Sequence, residues 1–160
     1  MQCNHAEAIK TIMNMTVNDV KQIELPKFQD PRGNLSFVEQ EKHIPFKIQR
    51  TYWIYDVPGG ESRGSHAYKE TNEFIIAIAG SFDVTVDDGQ CQKTFTLNRS
   101  YYGLYIPKGL WRKLDNFSTA SLALEFADTR YDRSDYIEDY ITPTCSLYAY
   151  NSLILKYRFF

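Results

Sequence analysis

The chain has 160 residues and a mass of 18.7 kDa, which is about one domain at roughly 100–200 residues per domain. Hydrophobic residues make up 43%, aromatics 15% and charged residues 24%, so there is material for a packed core, and a disordered or collagen-like chain is excluded. A formal net charge of -2 and a pI near 5.9 supply no global field toward nucleic acid or an anionic membrane, so an anionic ligand has to be held by a few placed cations.

Residues 1–20 mix polar and apolar positions and read as an N-terminal arm without the apolar run of a signal peptide. No later stretch approaches the ~18 apolar residues of a membrane span. Cys3, Cys91 and Cys145 lie far apart and form no CxxC pair, which argues against a zinc site or a disulfide framework and suits a reducing cytoplasm. The expectation is a cytoplasmic protein with no nucleic-acid or membrane partner. From Lys21 the texture becomes short β-rich runs broken by turn residues: IEL, LSFVEQ, HIPFK, IQRTYWIYDV and then PGGESRG. Next come EFIIAIAG and SFDVTV, where Phe82, Val84 and Val86 alternate with Ser81, Asp83 and Thr85, the mark of a half-buried strand. Asp88-Gly89 before CQKTFTL predicts a hairpin of Ser81–Val86 with Gln92–Leu97.

YYGLYI, LWRKLDN and SLALEFA add three more strands. Roughly ten short strands without a repeat predict an all-β sandwich or barrel, most simply a double-sheet jelly roll, over residues 21–140. The stretch YDRSDYIEDY predicts a short C-terminal helix with Asp132 or Ser134 as N-cap and a solvated acidic face around Asp135–Asp139. Residues 141–160 form a tail too apolar to leave in water, expected to pack on the barrel or on a second subunit.

One constellation carries chemistry. Gly60, His66, Tyr68, Glu73 and Gly80 have the spacing of the first cupin motif, with tyrosine at the second histidine position, and Pro107, Gly109, Arg112 and Asn116 match the second motif, with arginine where a histidine usually sits. The sequence therefore resembles a cupin jelly roll across most of its length. Cupin metal sites need three histidines and a carboxylate. Arginine offers no lone pair and repels a cation, so no metal and no other cofactor is expected. A histidine, tyrosines and an arginine suit proton transfer on an anionic or enolising substrate.

A closer resemblance rests on FQDPRGNLSFVEQ, the RGSHAY segment, LNRSYYGLYIPKGLWRKLDNFS and YDRSDYIEDY in this order, over roughly Ile23 to Tyr140. These segments look like the metal-free sugar 3,4-ketoisomerases, which convert dTDP-4-keto-6-deoxyglucose to a 3-keto sugar on the way to aminated deoxysugars of surface polysaccharides and antibiotics. The resemblance implies a dTDP-linked sugar as partner, a homodimer, His66 as the catalytic base and Tyr52 as an active-site tyrosine. His66 then takes the C3 proton, an enediol forms and a proton returns at C4, with Tyr52 or Tyr68 moving the proton between O3 and O4. Arg63 and Arg112 are candidates for the developing oxyanion, although Arg112 reads equally as an ion-pair partner of Glu73 or Glu125. A diphosphate needs several cations, and Arg32, Arg50, Arg63 and Lys69 lie in the matching segments. Tyr101, Tyr102, Tyr105 and Trp111 offer flat faces for a base. Gly64 reads as a strand-bend glycine without direct chemistry. Two rival readings remain: a sugar 3,5-epimerase, and a non-catalytic cupin that binds a sugar nucleotide.

Overall fold

A computed structural model describes residues 15–140. Twelve strands run in order: β1 (Lys21–Glu24), β2 (Lys27–Asp30), β3 (Gly33–Ser36), β4 (Arg50–Tyr55), β5 (Arg63–Tyr68) and β6 (Glu73–Ala79). They are followed by β7 (Phe82–Asp87), β8 (Gln92–Leu97), β9 (Tyr102–Ile106), β10 (Trp111–Asp115), β11 (Leu122–Ala127) and β12 (Tyr136–Ile137). Two five-stranded antiparallel sheets, ordered β1-β9-β6-β11-β4 and β12-β5-β10-β7-β8, form the jelly roll, and β2-β3 makes a separate hairpin. Among the described residues no helix is long and apolar enough to cross a membrane.

Alternation places the core. Ile75, Ala77, Phe82, Val84, Val86, Leu97, Leu104 and Leu114 point between the two sheets and are buried together, each apolar side chain contributing about 1.5–3 kcal/mol. β6 is buried on both faces: Phe74 and Ile76 pack outward under Leu25, Ile44 and Phe46. That explains why EFIIAIA is an apolar run and not an alternating one. HIPFK, expected as a strand, is instead the loop that lays Ile44 and Phe46 over this face. The predicted hairpin is β7-β8, in register from Phe82↔Leu97 to Asp87↔Gln92, with Gly89 at φ 85° in its turn. Upstream of Lys21, Val17 and Val20 already belong to the core.

The acidic C-terminal stretch is not an α-helix. Arg133–Asp135 makes one 3-10 turn capped by Asp132, whose side chain accepts from the Ser134 N–H, and Tyr136–Ile137 then pairs with β5. Tertiary capture overrides the local helical preference. The Lys69 N–H donates to the Asp135 carbonyl, while the Glu70 N–H and the Thr71 hydroxyl donate to the Asp135 carboxylate. Asp135 is a latch, not part of a solvated helix face. Residues 1–14 and the tail 141–160 lie outside the described residues.

Candidate active site

The inward faces of five strands converge at one end of the barrel. Tyr52 and Arg50 come from β4, His66 and Tyr68 from β5, Glu73 from β6, Arg112 from β10 and Glu125 from β11. Cross-strand register aligns them: Arg112 lies opposite His66, Glu125 opposite Tyr52, and Ala127 opposite both Glu73 and Arg50. The small Ala127 side chain leaves the gap that the larger neighbours fill.

Arg112 crosses from one sheet to the other and is 1% exposed. Its Nε donates to Glu73 Oε1 at 2.7 Å and its Nη2 to Glu73 Oε2 at 2.9 Å, a two-point pairing. Nη2 also donates to Glu125 Oε2 at 3.0 Å and to the Tyr52 hydroxyl at 3.3 Å, while Nη1 donates to the Gly64 carbonyl at 2.8 Å. Gly64 is indispensable here. The β5-β10 register slips by one residue between Arg63 and His66, Gly64 stands at φ 65°, and a Cβ there would lie 1.8 Å from Arg112 Nη1. The glycine bulge is what admits the guanidinium.

Two buried carboxylates thus share one cation. Burial opposes the ionised form of Glu73, but the Arg112 charge and hydrogen bonds overcome it and hold this carboxyl below its ordinary range. Glu125 gets a single contact from Arg112, and its Oε1 is buried without a partner among the described residues. Burial therefore pushes Glu125 up to about 7, against the pull of Arg112, and the pair's proton resides on Glu125.

A line of hydroxyls leads outward from this cluster. The Tyr52 hydroxyl donates to Glu73 Oε2 and lies 3.2 Å from the Tyr68 hydroxyl, which donates at 3.2 Å to the hydroxyl of Tyr136 on β12. Burial raises both Tyr52 and Tyr68 well above the ordinary phenol range, so both keep their protons. The His66 ring sits against Tyr68 and Tyr136, with centroids 4.7 and 4.8 Å away. Its Nε2 is buried with no hydrogen-bond partner among the described residues. Burial, aided by the Arg112 charge, pushes His66 down to about 4, leaving a neutral imidazole with a free acceptor. Arg50 lies over the rings of Tyr52, Tyr68 and Tyr131 at 5.2, 5.9 and 5.7 Å. Its Nε and Nη2 are buried and unpartnered among the described residues.

His66, Tyr68, Tyr52 and Arg50 are therefore brought together as the sequence predicts. Other expected residues are not. Arg112 is spent on Glu73, Glu125 and Gly64 inside the barrel and is not free to meet an oxyanion or a phosphate. Trp111, on the opposite face of β10, points away from the cluster and packs on Tyr140. The Tyr102 hydroxyl bonds Asn98 and its ring meets Tyr101, on a strand of the other sheet. Arg32 is solvent-exposed in the β2-β3 hairpin, paired with Asp30 of the same turn. Lys69 donates to the Ser134 carbonyl, so its charge anchors the 3-10 turn. Arg63 is exposed at the start of β5. Tyr136 and the structural role of Gly64 were missed: Tyr136 was assigned to a helix, and only the slipped register reveals the bulge.

The donor set does not fit the divalent ion common in cupins. Both oxygens of Glu73 are engaged by Arg112, and that guanidinium would stand beside any cation held by His66.

Residues 18–143 match the family model described as FdtA: WxcM-like, C-terminal. A TDP-4-oxo-6-deoxy-alpha-D-glucose-3,4-oxoisomerase of Aneurinibacillus thermoaerophilus is 38% identical over 120 residues, covering 75% of this chain and 86% of the relative. Among solved structures, a 3,4-ketoisomerase from Helicobacter canadensis has 39% identity and a TM-score of 0.74, covering 76% of this chain and 92% of that one. QdtA, a sugar 3,4-ketoisomerase from Thermoanaerobacterium thermosaccharolyticum in complex with TDP, has 30% identity and a TM-score of 0.77, covering 91% and 100%. With most of its length matched and with relatives above 30% identity, this chain belongs to the WxcM-like FdtA family.

Proposed function

We propose that the chain is a 3,4-ketoisomerase of a TDP-linked 4-keto-6-deoxyhexose, moving the carbonyl from C4 to C3 through an enediol. The observation that carries this reading is the neutral His66 ring, packed against Tyr68 and Tyr136, with a buried Nε2 that has no hydrogen-bond partner among the described residues. A free imidazole acceptor in a water-poor site is matched to taking a carbon-bound proton next to a ketone.

His66 removes the C3 proton and, after exchange with solvent, delivers a proton at C4, while hydroxyls exchange protons with O4 and O3. Arg50 is the cation best suited to the substrate's negative charge, because its buried Nε and Nη2 have no partners among the described residues and an anion would satisfy them. The Glu73–Arg112–Glu125 cluster holds Tyr52 in place, while burial, helped by the Arg112 charge and opposed by Glu73, keeps the imidazole neutral.

We assign the enzyme to the cytoplasm and to a homodimer. The dimer is supported by Phe28 and Leu35 on the separate hairpin and by Trp53 and Tyr55 on edge strand β4, all 58–60% exposed, an arrangement that invites pairing. Light scattering on the purified protein tests it. The function is tested by incubation with TDP-4-keto-6-deoxyglucose in D2O followed by proton NMR. The expected product is a 3-keto sugar carrying deuterium at C4. A product that retains the C4 ketone with inverted C3 or C5 indicates an epimerase, and bound TDP with no exchange indicates a non-catalytic binder.

A further inference from the structure

We infer that Tyr136 is the catalytic hydroxyl that gives a proton to O4 and takes one back from O3, an assignment that rests on the ketoisomerase reading above. The three hydroxyls at the site are distinguished by where their protons point. Tyr52 donates to Glu73, and Tyr68 donates to Tyr136. Tyr136 accepts that bond, and its own proton meets no acceptor among the described residues. Of the three, only Tyr136 has a proton left to offer, since a phenol has one donor. It is also the outermost member of the row: its side chain is half-buried, Tyr68 is 3% exposed, and its ring stands 4.8 Å from the His66 ring. Base and acid therefore stand side by side.

The protons and electrons balance. His66 Nε2 takes the C3 proton, the C3–H pair becomes the C3=C4 bond, and the C4=O4 π pair moves onto O4, which takes the Tyr136 hydroxyl proton. The resulting Tyr136 phenolate is stabilised by the Tyr68 O–H already directed at its oxygen. Burial keeps Tyr68 protonated, so it remains a donor throughout. In the second half the phenolate removes the O3 proton, the O3–H pair becomes the O3=C3 bond, and the C3=C4 π pair takes the proton from His66 at C4. Both residues end as they began, and no oxidant or reductant is needed. A tyrosine on β12 thus supplies the oxygen-side proton traffic in a chain whose motif has Tyr68 at the second histidine position.

The test compares Tyr136→Phe with Tyr131→Phe. Tyr131 is a neighbouring ring 65% exposed and takes no hydrogen bond through its hydroxyl among the described residues. Tyr136→Phe keeps the ring against His66 and removes the hydroxyl. The expected result is a fall in kcat of roughly 10²–10³-fold, within the usual range for a lost general acid–base group, with TDP affinity within about threefold of wild type and Tyr131→Phe unaffected. A kcat within about tenfold of wild type overturns the assignment. So does a variant that loses TDP binding together with turnover, since the hydroxyl would then be part of the scaffold. A wild-type protein that leaves the sugar unchanged overturns this inference and the ketoisomerase reading together, whereas wild-type turnover beside an active Tyr136→Phe overturns this one alone.

Discussion

Replacing Gly64 by alanine should cost far more than a strand substitution at the barrel surface. The backbone there has φ 65°, a left-handed conformation that costs an alanine about 1–2 kcal/mol. The added Cβ would lie 1.8 Å from Arg112 Nη1 and 3.0 Å from Arg112 Cζ, so the guanidinium must leave its seat. Retreat breaks the pairing to Glu73 and Glu125, both 1% exposed or less, and removing one partner of a buried ion pair costs about 3–5 kcal/mol. Together these losses reach about 4–7 kcal/mol, comparable to the whole stability of a domain at about 5–15 kcal/mol. Urea denaturation followed by fluorescence reads the effect as a drop in the midpoint at unchanged slope. Gly59→Ala is the matched control: nothing lies within 4 Å of its added Cβ, and it should stay within about 1 kcal/mol of wild type. A Gly64→Ala protein that loses less than about 1 kcal/mol would show that Arg112 can relocate at little cost, refuting its role as the clamp between the sheets.

Three further outcomes follow from the site. Glu125 is raised from 4.5 to about 7 in the folded protein, so the folded state holds this proton more tightly; the stability it contributes is complete below pH 4.5 and fades as pH rises through 7. Wild type should therefore lose about 2 kcal/mol relative to Glu125→Gln between pH 5 and pH 7, measured as the difference between two denaturation series, and a flat difference would place the proton elsewhere. His66 is lowered to about 4, so the acid limb of kcat/KM should fall near pH 4; a limb near 6.5 would indicate a solvated ring. For folding the His66 sign is opposite to that of Glu125: its neutral form adds stability above pH 6.5 that is lost as pH falls toward 4. Trp111→Ala should leave the KM for the TDP-sugar within about threefold, because the ring packs on Tyr140, whereas loss of a base platform worth about 1.4 kcal/mol would raise it tenfold.

Local pattern carried a large part of the site. The spacing of Gly60, His66, Tyr68, Glu73 and Gly80 matches the first cupin motif, whereas Trp111 and Arg112, both read as substrate contacts, lie on opposite faces of β10. Alternation cannot say what a side chain meets across the barrel. In sequence Arg112 reads both as a substrate contact and as an ion-pair partner of Glu73 or Glu125, and only the fold, which brings in carboxylates 39 and 13 residues away, decides for the ion pairs. A bulge is invisible for the same reason, since it is a property of two strands and not of one. The acidic segment at 131–140 misled because aspartate and serine before a polar run favour a helix start, while the competing bonds come from Lys69, Glu70 and Thr71, more than sixty residues upstream. A charge in a matching segment says nothing about its neighbours, and the fold pairs Arg32 with Asp30 and Lys69 with the Ser134 carbonyl.

β12 lies at the outer margin of its sheet and is the last strand among the described residues, yet it borders the strand that bears His66. Both sheets have their remaining strands, and the barrel its apolar interior, before residue 132 is synthesised. Closure of the barrel and completion of the site are thus separable events, joined by the seating of Asp135 on Glu70 and Thr71, the Lys69 bonds to Ser134 and Asp135 and the pairing of β12 with β5. A truncated chain ending ahead of that residue would hold a sound scaffold with an idle imidazole, so turnover reports whether the final strand has docked.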